Sequence, residues 1–258
     1  EYKDSKRIVG LSSDVLDTVK FEDNFDERYT LVGTQFTIGS NRINFALKRD
    51  GADHEVYKDL TTVSDTAWVL RMHLNFTGNT SADAYDSQTF FGLSSSNGTY
   101  TVAQDAIGLS IKWGNDDNYK ASNPDGTGID DETNSQTFST AFTSTDEYWV
   151  EIIRLSSTSF TIELFNASSY APSASVEKET VTRSSLSNIS GLRYLQGKMR
   201  NSSSRTEIQN GYLDDVEFYN GVTTASGTPT LTNGFGNDWE QNTTGTTNIA
   251  VANSRVEY

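Results

Sequence analysis

The sequence predicts an all-β protein, an antiparallel β-sandwich of two sheets. Three observations carry the prediction. Apolar and polar residues alternate at a period of two, most cleanly from Trp68 to Phe76. There Trp68, Leu70, Met72, Leu74 and Phe76 fall on one face, and Val69, Arg71, His73 and Asn75 on the other. Such runs recur along the chain, separated by turns rich in Gly, Asn and Ser. No stretch sustains a helical period. With 258 residues, 34% hydrophobic and 11% aromatic, the chain can fill a sheet-on-sheet core, and sandwiches of this size are commonly single domains.

Taken in order, residues 1–20 hold only Ile8–Leu11, Val15, Leu16 and Val19 as apolar groups and read as an extended arm. An acidic knot, Glu22 to Glu27, follows. Ile38, Ile43, Phe45 and Leu47 flank Gly39-Ser40-Asn41, the pattern of a hairpin. Asp50-Gly51 is a turn pair. Phe90–Leu93 is a strand that ends in Ser94–Gly98, and Ile107, Leu109, Ile111 and Trp113 alternate again. Residues 114–135 read as a long polar loop, a length that is uncommon without a function. Glu147–Leu155 and Ser159–Phe165 form a meander hairpin around Ser156–Thr158. Residues 167–187 read as loop with a short helical turn near 180–186, and 191–199 and 211–219 supply two further strands. Asn220 to Thr230 has the composition of a linker. The expected organisation is an arm (1–20), a sandwich domain (21–222), and a linker with a C-terminal strand segment (223–258). Size and loop lengths favour a jelly roll over an immunoglobulin-type sandwich, which at about 100 residues per domain would need two copies.

Composition narrows the function. A formal charge of −15 argues against a nucleic-acid surface, which needs clustered Lys and Arg. The absence of cysteine excludes disulfides, thiolate metal sites and cysteine nucleophiles. No apolar run is long enough to span a bilayer. Glycosylation sequons stand at Asn75, Asn79, Asn97, Asn166, Asn188, Asn201 and Asn242. Together with the missing cysteine they point to an extracellular, cell-surface protein.

Several stretches carry a resemblance. They are Asp23-Asn24-Phe25, Ala67–Leu70, Tyr148–Arg154 and the closing run Gly211–Gly221. Together they resemble the concanavalin A-like, laminin-G-like jelly rolls, in particular the cysteine-free versions of archaeal and bacterial surface proteins. The resemblance spans roughly Asp23 to Val222. It implies a two-sheet sandwich with its first and last strands side by side. It also implies glycan binding on a concave face in many members, and often a structural calcium. The fold hosts enzymes and structural modules as well, so function must come from the site.

A glycosidase needs two carboxylates, about 5–5.5 Å apart for retention or about 6.5–9.5 Å for inversion. The Glu-x-Asp-x-x-Glu run of hydrolases with this fold is absent, and only Asp215 and Glu217 offer a pair on one strand. Calcium takes six to eight oxygen ligands. Glu22, Asp23 and Asp215 would converge if the first and last strands are neighbours. Asp125, Asp130 and Asp131 form a second, weaker set in the long loop. For stacking on sugar rings, Trp68 and Trp113 fall on apolar faces and read as core. One of Tyr148 and Trp149 must face away from the core, and Tyr100 and Tyr119 lie in or beside loops. His54 and His73 are the only histidines, and His73 reads as solvated.

The tail echoes the start of the domain. Phe36–Phe45 lies over Ile249–Tyr258, with apolar, small and Arg positions matched. Ile249, Val251, Val256 and Tyr258 are therefore expected to act as a donor strand buried against another copy, a head-to-tail contact that builds filaments, or else to open a further repeat. The principal expectation is a non-enzymatic structural and adhesive module that self-assembles. The alternative is a glycan-binding, lectin-like module, with a glycosidase or polysaccharide lyase behind it.

Overall fold

The computed structural model describes residues 29–39, 42–52, 54–79, 87–97, 103–113, 117–126, 134–199, 208–226, 229–233, 250–252 and 255–257. By its contacts the chain divides into Phe25–Gly234 and a unit of Glu1–Asn24 with Phe235–Tyr258. The first holds β1 (Thr30–Val32), β2 (Phe36–Gly39), β3 (Arg42–Leu47), β4 (His54–Asp59), β5 (Trp68–Asn79), β6 (Ser87–Ser94), β7 (Ala106–Trp113) and β8 (Asn118–Ser122). It continues with β9 (Ser135–Ala141), β10 (Glu147–Ser156), β11 (Ser159–Phe165), β12 (Ser175–Thr182), β13 (Tyr194–Met199), β14 (Gln209–Asn220) and β15 (Leu231–Asn233). Two short 3-10 turns, Pro172–Ala174 and Ser184–Asn188, are the helical pieces among the described residues.

These strands make two antiparallel sheets. The first runs β1-β4-β13-β6-β7-β8-β9 and the second β12-β11-β10-β5-β14-β3-β2, with β15 beside β14. The expected all-β sandwich is the observed fold, and the hairpin strands β3 and closing strand β14 lie side by side (Gly211↔Phe45, Leu213↔Ile43).

The core follows the alternation. Trp68, Leu70, Met72, Leu74 and Phe76 point inward from β5 and meet Ile107, Leu109, Ile111 and Trp113 of β7 in one apolar cluster. Burying a side chain of this size contributes roughly 1.5–3 kcal/mol. Gly211 lets β14 approach so closely that an added Cβ would strike the Phe45 ring. Arg154 shares the inward side of β10 with Val150 and Ile152, and is 1% exposed. Its Nη2 donates to the carbonyls of Ser157 (2.7 Å) and Leu186 (2.8 Å), and Nε donates to the carbonyl of Asp65 (3.2 Å).

Four expectations need correction. β8 lies inside the stretch read as loop, 114–135, because its polar residues face out of the sheet while Tyr119 and Ala121 enter the core. β12, Ser175–Thr182, occupies the middle of the loop expected over 167–187. It is an edge strand with one buried residue, Val181, so it carries no apolar alternation. The linker does not stay free of the domain. β3 pairs only the first part of β14, and Leu231–Asn233 pairs Val216–Phe218, taking up the backbone groups that β3 leaves open. The donor segment is not one extended strand. Its described residues, β16 (Ala250–Ala252) and β17 (Arg255–Glu257), pair with each other.

Candidate functional site

In most antiparallel sandwiches the outer face of a sheet is open to water. The outer face of the first sheet is instead polar and buried. Register partners set it in rows: Glu55–Lys198–Phe90–Ser110–Lys120, then Tyr57–Gln196–Gly92–Gly108–Ser122, with Gln88–Lys112–Asn118 beside them. Two facing glycines make its floor. A Cβ on Gly92 would lie 2.5 Å from the Gly108 Cα, and one on Gly108 would lie 2.5 Å from Phe90 Cζ, so the Phe90 ring rests on both. Lys198 Nζ donates to Gln104 Oε1 (2.9 Å), and the Gln196 amide donates to Ser94 Oγ.

Three amide carbonyl oxygens on this face, Gln196 Oε1, Gln88 Oε1 and Asn118 Oδ1, are buried without a hydrogen-bond partner among the described residues. Buried acceptors are nearly always satisfied, by protein or by ordered water, so each is a place where a further donor would fit. Next to Gln196 stand Tyr57 and Tyr194, both half-buried, their rings edge to face at 5.8 Å. Arg193 lies over Tyr194 at 5.5 Å and grips Asp59 through two hydrogen bonds (2.7 and 2.6 Å). The arrangement joins aromatic rings, an unsatisfied amide carbonyl, a carboxylate and a guanidinium at one end of a sheet. Such groups can stack on a ring and hydrogen-bond hydroxyls.

Sequence reasoning missed this site. Tyr57, Tyr194 and Gln196 sit on strands whose local pattern is ordinary, and β4 was not foreseen. Of the aromatics singled out, Trp68 and Trp113 are core as expected. Tyr119 is also core: burial raises its pKa well above the ordinary value, and its hydroxyl donates to Asp146 Oδ2 (2.7 Å). Of the Tyr148–Trp149 pair, Trp149 faces outward. Tyr100 lies outside the described residues.

The acids fall differently from the expectation. Glu22, Asp23, Asp130 and Asp131 lie outside the described residues. Asp125 accepts a hydrogen bond from Asn188 Nδ2 (3.0 Å), while Asp105 accepts the backbone N–H groups of Gly126 (2.9 Å) and Ser190 (3.1 Å). Asp215 and Glu217 do not form the regular pair that a flat strand gives. A bulge in β14 sets Asp214 opposite His73 and Glu217 opposite Arg71, with Asp215 between them at φ 47°. The bulge turns Asp214 and Asp215 toward the same ring, so that one oxygen of each and a His73 nitrogen lie within 4.8 Å of one another.

His73 is therefore not solvated. It is buried between Asp214 (Nδ1–Oδ1, 2.6 Å) and Glu147 (Nε2–Oε1, 3.0 Å), and stacks on Trp149 at 4.3 Å. Burial opposes its charged form, but the two carboxylates outweigh it and raise its pKa. Burial, and then the neighbouring Asp214, raise the pKa of Asp215. Calcium, which takes oxygen donors, is a poor match for a set that includes an imidazole.

Among the sequons, Asn79, Asn97, Asn166 and Asn188 are exposed, Asn75 is half-buried in the second sheet, and Asn201 and Asn242 lie outside the described residues. So do Ile249 and Tyr258, while Val251 and Val256 are register partners.

No family model and no curated protein matches the sequence. Solved structures do match the fold. The Ca2+/Man3GlcNAc-bound exoplasmic/lumenal domain of VIP36 superposes with a TM-score of 0.53 at 11% identity, covering 79% of this chain and 88% of that one. Its Ca2+/Man-bound form gives 0.52 at 10% identity, covering 80% and 88%. A legume lectin-like domain from Entamoeba histolytica gives 0.48 at 14% identity, covering 76% and 91%. The chain thus has the two-sheet, antiparallel jelly-roll fold of the VIP36 domain. No helix among the described residues is long and apolar enough to cross a membrane.

Proposed function

We propose that this protein is a non-enzymatic, lectin-like module that binds carbohydrate at the outer face of the first sheet. One observation carries the reading: the Gln196 carbonyl is buried without a donor among the described residues, beside the half-buried rings of Tyr57 and Tyr194. A sugar supplies what this end of the sheet lacks, a hydroxyl donor for the amide and a ring face for the tyrosines. The sugar in the VIP36 structure supports the class of ligand. The sequons and missing cysteine support an extracellular setting. A glycan array followed by calorimetry tests the reading, run with added calcium and with a chelator. Gln196→Ala and Tyr194→Ala should each weaken binding about tenfold or more, the effect of losing one buried hydrogen bond or stacking contact. An array with no binder, or both variants binding as the wild type does, overturns it.

A second reading concerns self-assembly, and one observation favours it. The echo between tail and domain extends to register. Ile38↔Ile43 and Gly39↔Arg42 in β2–β3 correspond to Val251↔Val256 and Ala252↔Arg255 in β16–β17, and Thr37↔Asn44 to Ala250↔Glu257. The tail hairpin has the pairing to take the place of β2–β3 against β14 in a second copy. Light scattering of the full chain and of a chain lacking residues 234–258 decides. Oligomers lost with the tail support the exchange, and oligomers that persist, or a monomeric full chain, exclude it.

A further inference from the structure

The His73 cluster lies on the outer face of the second sheet, and nothing in the carbohydrate reading uses it. We propose that His73, Asp214 and Asp215 form a site for a divalent metal ion of the zinc class.

The sheet builds the site in three ways. First, the bulge at Asp215 brings two adjacent carboxylates to one side of β14, which a regular strand cannot do. A non-glycine residue at positive φ is uncommon, and here it holds the second carboxylate beside the first. Second, the ring nitrogens have separate roles. Glu147 accepts the Nε2–H at 3.0 Å, which leaves Nδ1 facing Asp214 and Asp215. A carboxylate on the far nitrogen of a ligating histidine is the usual outer partner at such sites: it fixes the tautomer and makes the ligand nitrogen more basic. Trp149, parallel to the ring within 10°, fixes its plane. Third, charge is unbalanced. Asp214, Asp215 and Glu147 surround one imidazole, and Asp215 has no hydrogen-bond donor among the described residues.

The ligand set is one imidazole nitrogen and two carboxylate oxygens. It suits a borderline ion in a small coordination shell, with water completing it, better than calcium, which needs six or more oxygens. Binding replaces the proton shared by Nδ1 and Asp214 with the ion and releases that proton to solvent.

The test titrates chelator-treated full chain with ZnCl2, and in parallel with MnCl2 and CaCl2, by calorimetry and thermal melting. One zinc per chain and a raised Tm are expected, with calcium weaker. Asp215→Asn should abolish the zinc-induced Tm rise while melting no lower than wild type without metal, since it removes a repulsion from Asp214 along with its attraction to His73. Glu147→Gln should weaken zinc about tenfold or more. Zinc that fails to bind at millimolar concentration, or binds Asp215→Asn as tightly as wild type, overturns the proposal. So does calcium bound in preference to zinc and unaffected by His73→Gln. Glycan binding is read separately, so this site and the carbohydrate face stand or fall independently.

Discussion

Arg154 shows how much one side chain can organise. A guanidinium 1% exposed on the core side of a strand is costly unless its donors are used; Nε and Nη2 reach three backbone carbonyls, while Nη1 has no partner among the described residues. Burial lowers its pKa from the ordinary arginine value, but an arginine stays charged. Those carbonyls belong to segments far apart in sequence, around Asp65, Ser157 and Leu186. Arg154→Ala should cost about 3 kcal/mol, because it strands charge-assisted acceptors as well as leaving a cavity. A urea titration of the variant checks this, through the shift in midpoint at unchanged slope. By contrast Arg193, exposed and paired with Asp59, should change stability little when replaced by Ala. Any loss there should appear in glycan binding.

At the scale of elements, the two sheets are tied at one side by a side chain. Glu177 of β12 accepts the backbone N–H groups of Ser139 and Thr140 in β9, each at 2.7 Å. Burial works to raise its pKa, but these hydrogen bonds outweigh it and hold the value below the ordinary 4.5. A depressed carboxylate stabilises the fold above its unfolded pKa and loses that contribution as pH falls through the folded value. Thermal melts from neutral pH downward should therefore show an acid-side loss that Glu177→Gln flattens, at a cost of about 1 kcal/mol at neutral pH. The β6–β7 pair makes the opposite kind of demand, for space. Gly108→Ala would put a methyl group 2.5 Å from both Phe90 Cζ and the Phe91 carbonyl. It should cost about 1–3 kcal/mol, as overpacking does, and disturb the floor of the proposed sugar face in the same variant. Chemical denaturation gives the first effect, and calorimetry with a bound glycan the second.

For the whole molecule, a charge of −15 spread over one chain repels itself. Its Tm should rise from low to moderate salt as screening sets in, before any specific ion effect. Salt that lowers the Tm over this range would show that paired charges, not net repulsion, dominate. Monovalent salt is the right probe, because a divalent ion would also report on the His73 cluster.

The strand Trp68–Asn79 was legible because period-two alternation is a local property, and burying one face of it dictates a sandwich. β12 was not legible, since an edge strand buries one residue and needs no pattern. His73 was misread, because a polar residue on the outer face of a strand looks solvated until its neighbours are known. Those neighbours, Asp214 on β14 and Glu147 on β10, are brought by pairing across 141 and 74 residues of chain. The sequence by itself determined the fold class, the main core strands and the lack of cysteine chemistry, all of which follow from composition and local period. Tertiary structure alone decided the bulge at Asp215, the buried polar face around Gln196 and the company His73 keeps, because strand register joins residues that no local pattern relates.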